Sequence, residues 1–276
     1  MGKVFRWVRT TFMIVCFLGT SFQVSAQQDN GSLSDGLRLA ELAEMLRTEG
    51  IAYGAAIDQD MMGGQGGRTW QSQVAAIYDV DRIVSTVADA LEAGLSGSER
   101  QDILAFFGTP LGQRILTLEY DAREIMAQTE LADQLILDLS DRAHDKDARY
   151  VVIREFATVN DLVALNVSGA LNANYHFLVS FARQGGNGVP EDDILADVWA
   201  EADEIEHSIS DWIYAYLLLA YDPLRDTEMA QYLAFSQTAS GQALNRVLFA
   251  GFETLYNAIN RDLGAAAARA METQDL

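Results

Sequence analysis

The decapeptide LAFFGTPLGQ, residues 104–113, returns as LAFSQTASGQ at residues 233–242, an offset of 129. A chain of 276 residues that carries one junction twice is constrained to two units of similar layout. Two such units close a shared core that neither closes alone. At the same offset Trp70 meets Trp199, Ser98 meets Thr227, Glu99 meets Glu228 and Glu124 meets Glu253, with no gap from Trp70 to Glu124. Upstream the identities fade but the layout persists. MMGGQGGR (61–68) precedes the Trp70 segment and RQGGNGVP (183–190) precedes the Trp199 segment. Each unit therefore reads as a leading helix, a glycine-rich loop, a Trp-bearing helix, a short turn and a broken helix. The polar stretch SDRAHDKDAR (140–149) separates them, giving a first repeat over 27–145 and a second over 146–276.

The periodicity is helical throughout. Leu111, Ile115, Leu118, Ala122, Ile125, Thr129, Ala132 and Ile136 step by four and three, as one face of a long helix does. Leu195, Val198, Ala202, Ile205, Ile209, Trp212, Tyr216 and Leu219 repeat the pattern. Only three prolines interrupt the chain, and no two-residue alternation persists. The expected fold is all-α, two tandem helical repeats packed as one bundle-like array. Trp70, Trp199 and Trp212 fall on or beside the apolar stripes and are expected to fill the core.

The junction has a physical reading. Ser98 with Gln101 is expected to form the capping box of a short helix, which Gly108 ends in a left-handed conformation. Thr109 caps the next helix, Pro110 takes its first position, and Gly112 lets the turn pack tightly. In the second copy Gln237 replaces Gly108 and Ala239 replaces Pro110, so a gentler break or a near-continuous helix is expected there.

SERQDILAFFGTPLGQRIL resembles the core of a bacterial family of exported helical proteins, Domain of Unknown Function 2059. The residues that carry the resemblance are Glu99, Phe106, Phe107, Pro110, Gly112 and Gln113. The second copy keeps Glu228, Phe235, Gly241 and Gln242 but has Ser236 and Ala239 in place of the second aromatic and the proline. The resemblance implies an all-helical exported protein, fits a Gram-negative periplasm, and brings no reaction with it.

Residues 1–26 read as a signal peptide: Lys3, Arg6 and Arg9, then an apolar run to Leu18, then Val24-Ser25-Ala26. The run is short of the roughly 20 residues that span a bilayer, so no transmembrane segment is expected after cleavage. A periplasmic or secreted location follows. The single cysteine, Cys16, leaves with the leader, so neither disulfides nor a thiol nucleophile are expected. The formal charge of −21 becomes more negative once the leader's three cations are removed. Such a charge opposes nucleic acid and anionic lipid and favours solubility.

No motif specifies a reaction, and the catalytic residues are left open. GGQGGRTW lacks the Gly-Lys-Ser/Thr ending of a phosphate loop, and no Gly-x-Ser-x-Gly elbow occurs. Glu204-x-x-His207 and Asp141-x-x-His144, with Glu124 and Glu253, match a di-iron bundle by ligand count. His207, however, lies about 200° round the helix from Ile205. The two segments are also unrelated by the offset, so no metal site and no cofactor are expected. The segment NVSGALNANYH (166–176) places Asn172, Tyr175 and His176 on a helix that could line a polar pocket. Two readings stand: a non-catalytic module contacting proteins or the envelope, and, as the alternative, a small-ligand or cation-binding protein, enzymatic or not, with its pocket at those three residues.

Overall fold

The computed structural model describes residues 32–144, 147–186 and 188–272, so the segment expected to be a signal peptide, residues 1–26, lies outside the described residues. Among them there is no strand. The helices are α1 (Leu33–Gly36), α2 (Leu39–Met61), α3 (Gly67–Ile77), α4 (Val80–Gly94), α5 (Gly97–Phe107), α6 (Pro110–Met126) and α7 (Thr129–His144). They continue as α8 (Ala148–Val159), α9 (Leu162–Gln184), α10 (Glu191–Ala200), α11 (Ala202–Tyr221), α12 (Asp226–Ser236) and α13 (Ala239–Glu272). The all-α expectation is met.

The two junctions are built alike. α5 and α12 are 11 residues each, and their first residues, Gly97 and Asp226, stand at the repeat offset. Thr109 Oγ1 accepts from the Gly112 N–H at 3.0 Å and donates to the Phe106 carbonyl at 2.7 Å. Thr238 does the same to Gly241 and Phe235, at the same distances. Gln113 Nε2 reaches back to the Phe107 carbonyl at 2.8 Å, and Gln242 Nε2 to that of Ser236 at 2.7 Å. At Gly112 and Gly241 a methyl group would collide with the carbonyl oxygens of Phe106 and Phe235. The recurring Thr, Gly and Gln thus form a clamp that closes a helix–turn–helix corner.

Three local expectations are corrected. The first capping box is made by Ser96 and Glu99, not Ser98 and Gln101: the Ser96 N–H donates to Glu99 Oε2 at 2.7 Å, and Ser96 Oγ accepts from the Glu99 N–H. Gly108 is right-handed (φ −72, ψ −9), and Gln237 adopts nearly the same conformation (φ −82, ψ −11). Thr109, extended at ψ 158, executes the turn, so no left-handed residue is needed. The chain also breaks between α12 and α13 at 237–238, closed by the same Thr contacts as the first junction.

The long stripe from Leu111 to Ile136 is also divided. Ala127 and Gln128 separate α6 from α7, and residues 127–131 are exposed, whereas α13 runs unbroken for 34 residues. The second stripe breaks at Glu201, between α10 and α11.

Helices from residues 33–144 and from residues 148–272 pack on one another. α6 and α7 pack on α11, while α13 packs on α4 and, most extensively, on α9. Gly264 of α13 allows that last approach, since a methyl there would overlap the Phe177 carbonyl of α9. A ladder of ion pairs crosses the same seam: Arg82 to Asp262 at 2.8 Å, Arg114 to Glu228 at 2.9 Å and Arg142 to Asp222 at 2.6 Å.

The tryptophans do not share an environment. Trp70 is 1% exposed on α3, and its Nε1 donates to the Gly54 carbonyl at 2.8 Å. Trp199, expected in the core, is 63% exposed. The buried positions of α10 are Ile194 and Val198, one helical turn apart, just as Trp70 and Val74 are in α3. Ile194 therefore fills the position that Trp70 fills. Trp199, next to Val198, is rotated about 100° away from it. Trp212 is half-buried and stacks on Tyr216 with ring centroids 5.2 Å apart.

Candidate functional site

A groove of about 590 Å³ lies between the C-terminal end of α8, the first half of α9 and the start of α11. Its position follows from the chain path. After α8, Asn160 and Asp161 turn the backbone, with Asp161 held left-handed (φ 51, ψ 35), and α9 departs at an angle. α9 then presents Val163, Val167 and Leu171 as an apolar strip along the groove. The opposite wall comes from Ala202 and the half-buried Tyr214 of α11, and Trp199 stands at the lip. Leu195, one turn before Trp199 on α10, is 43% exposed. Two large apolar side chains thus lie in water beside an apolar strip, an arrangement monomeric surfaces usually avoid.

The groove is electrostatically one-sided. Asp161, Asp203 and Glu206 line it, and no lysine or arginine does. The basic side chain that makes itself felt is Arg154, exposed on α8, whose charge acts on the Tyr214 hydroxyl.

The three residues expected to share a polar pocket engage different partners. Asn172 borders the groove, and its Nδ2 donates to Glu253 Oε1 of α13 at 2.7 Å. The Tyr175 hydroxyl donates to Glu191, which also accepts from Arg183 at 2.9 Å. That contact raises the Tyr175 hydroxyl above the usual phenol range and lowers Glu191. His176 packs edge-on against Tyr175, and its imidazole is lowered by burial and by Arg261, with Glu253 opposing. Asn172 alone of the three lines the groove.

A second polar locus is sealed in the core. Glu119 of α6 is 1% exposed. Its Oε1 accepts from the hydroxyl of Tyr221 on α11 and from that of Tyr232 on α12, the latter at 3.3 Å. Its main-chain carbonyl accepts from Tyr216 at 3.0 Å. Oε2 has no hydrogen-bond partner among the described residues. Burial pushes the carboxyl well above the usual carboxylate range, with the hydrogen bonds from the two tyrosines opposing. Nearby, Arg123 is 5% exposed and forms a bidentate pair with Glu49, both contacts at 2.8 Å. Sequence reasoning passed over Glu119 because a lone glutamate on a helix gives no sign of burial.

The remaining chemistry-bearing positions stay on the surface. His207 is exposed and lies 3.5 Å from Asp211. The His144 side chain lies outside the described residues, and among those described no cluster of three His, Cys, Asp or Glu could hold a metal ion. No helix among them is long and apolar enough to cross a membrane. The family-motif residues all serve the corner: Glu99 and Glu228 cap helices, Phe106 and Phe235 stack, and Gly112, Gln113, Gly241 and Gln242 close the clamp.

Comparison with known proteins agrees with this corner-centred pattern. Residues 81–140, from the start of α4 into α7, match the family model described as "Uncharacterized protein conserved in bacteria (DUF2059)". No curated protein and no solved structure matches the chain.

Proposed function

We propose that this chain, whose residues 81–140 carry the DUF2059 segment, is an exported, non-catalytic interaction module of the cell envelope or its surroundings. It is built from two degenerate copies of one helical unit, and its binding face is the groove between α8–α9 and α10–α11. The observation that carries the reading is Trp199, 63% exposed at the lip of the groove with Leu195 beside it. Tryptophan left in water next to an apolar strip is the composition of a binding hot spot. The identical corner clamps and the reciprocal packing of α6 on α11 and α13 on α4 support the duplicated scaffold. The leader-like N-terminus supports export.

The test is photo-crosslinking in cells, with a benzophenone side chain placed at Trp199 or, as a control, at the exposed Gln128. A discrete adduct formed from position 199 and not from 128 is the expected result. Identical adducts from both positions, or none from 199, overturn the reading.

A further inference from the structure

We propose that the partner seated in the α8–α11 groove is a basic amphipathic helix of another protein, its apolar face on Val163, Val167 and Leu171 and its cations on Asp161, Asp203 and Glu206. This inference rests on the interaction reading above and specifies its occupant.

Shape sets the first limit. The strip from Val163 to Asn172 spans nine helical steps, about 14 Å, which suits two to three turns of a docked helix. The walls are helices, and among the described residues there is no strand edge to which an extended peptide could add. An apolar strip between helices takes side chains spaced at i, i+3 and i+4 instead.

Charge sets the second limit. Three carboxylates line the groove without a basic residue among them, and the Asp203 and Glu206 side chains are exposed. An acidic partner would meet them as repulsion. So would a second copy of this chain, which at −21 overall would also bring an equally acidic groove. A lysine- or arginine-bearing helix meets them as attraction, and its association is accelerated by the field of the whole molecule. The exposed indole of Trp199 offers a cation a further face at the rim.

The experiment uses the purified chain and a fluorescent model peptide of leucine and lysine in amphipathic helical order. Binding is followed by anisotropy at physiological ionic strength. Since any cation is drawn to so acidic a protein, two variants of equal charge are compared. One neutralises the groove (Asp161→Asn, Asp203→Asn, Glu206→Gln). The other neutralises three exposed acids elsewhere (Asp60→Asn, Asp89→Asn, Asp133→Asn).

The groove variant and Trp199→Ala are each expected to weaken binding at least tenfold, and the remote variant less than threefold. Thermal melts establish that all are folded. Equal losses in the two triple variants overturn the proposal, as does equal binding of a leucine–glutamate peptide. A discrete crosslink from position 199 without binding of the basic peptide also overturns the basic occupant, while leaving the interaction reading in place. Absence of both removes the two together.

Discussion

The ring of Phe106 lies flat on the ring of Phe235, with centroids 4.0 Å apart and planes 8° from parallel. The two residues stand at the repeat offset, so like positions of the two junctions touch each other. Contact between like positions is what a two-fold axis produces at an isologous interface. Around it, Phe107 meets Phe235 edge-on at 5.6 Å and Phe106 stacks on Tyr232 at 5.9 Å.

If this stack couples the halves, Phe106→Ala and Phe235→Ala are not additive. Each alone is expected to destabilise by about 1–3 kcal/mol. The double variant should lose less than their sum by about 0.5–1.5 kcal/mol. Urea unfolding of the four proteins measures the cycle, and strict additivity would show the rings to be independent.

Glu119 predicts a slope in stability on the alkaline side of its unfolded value. The unfolded carboxyl titrates near the ordinary value of about 4.3. Burial raises the folded one well above that. Between the two values the folded state holds one more proton, so stability falls as pH rises through this window. Glu119→Gln keeps an oxygen acceptor for Tyr221 and Tyr232 and cannot ionise. Its unfolding free energy should fall less steeply with pH than that of the unsubstituted protein above the unfolded value of about 4.3. An unchanged slope would assign the ionisation elsewhere.

Glu228 predicts the opposite sign. Hydrogen bonds from the side chain and backbone of Arg225 lower its carboxyl to about 2, with Arg114 adding attraction. Its contribution is present above the unfolded value and is lost as pH falls from there towards 2. Glu228→Gln should therefore melt with a shallower dependence between about pH 4.3 and about pH 2. Melting temperatures across that range decide it.

The crossing of α9 and α13 tolerates no side chain at Gly264, because an added methyl overlaps the Phe177 carbonyl and lies 3.1 Å from the Phe181 nitrogen. Gly264→Ala is expected to destabilise by about 1–3 kcal/mol through forced separation of the helices. Gly97→Ala is the control, since nothing lies within 4 Å of its added methyl. That substitution should be neutral or slightly stabilising.

Trp70 and Trp199 separate a core role from a surface one. Trp70→Ala is expected to destabilise by about 3–5 kcal/mol, whereas Trp199→Ala should change stability by less than about 0.5 kcal/mol. Acrylamide should quench a smaller share of the fluorescence in Trp199→Ala than in the unsubstituted protein. Full quenching protection at position 199 would mean that the groove lip is covered.

Helical class was legible in the sequence because four- and three-residue steps have one physical interpretation. The corner was legible because Thr109, Pro110 and Gly112 each act within a few residues of themselves. What escaped were effects decided elsewhere. The match of Trp70 to Trp199 misled because the layout upstream keeps a different register. α2 and α9, each 23 residues, begin 123 apart (Leu39 and Leu162), and each is preceded by a left-handed non-glycine residue, Arg38 or Asp161. The difference from the junction offset is made up only later, because α11 (20 residues) is longer than α4 (15 residues) and is followed by a longer turn, so Trp199 falls one position past a buried valine. The groove was illegible because its acids come from separate elements, and in so acidic a chain no three carboxylates stand out beforehand.

Placing both corners on one polypeptide releases each half from having to match the other. In a dimer of identical chains, every substitution near the axis is introduced twice, and a buried acid arrives with its twin. Here Glu119 faces its tyrosines once, while the position at the repeat offset is the buried Leu248. Covalent linkage thus lets a single buried carboxyl be retained beside one corner while the corresponding position beside the other is a leucine.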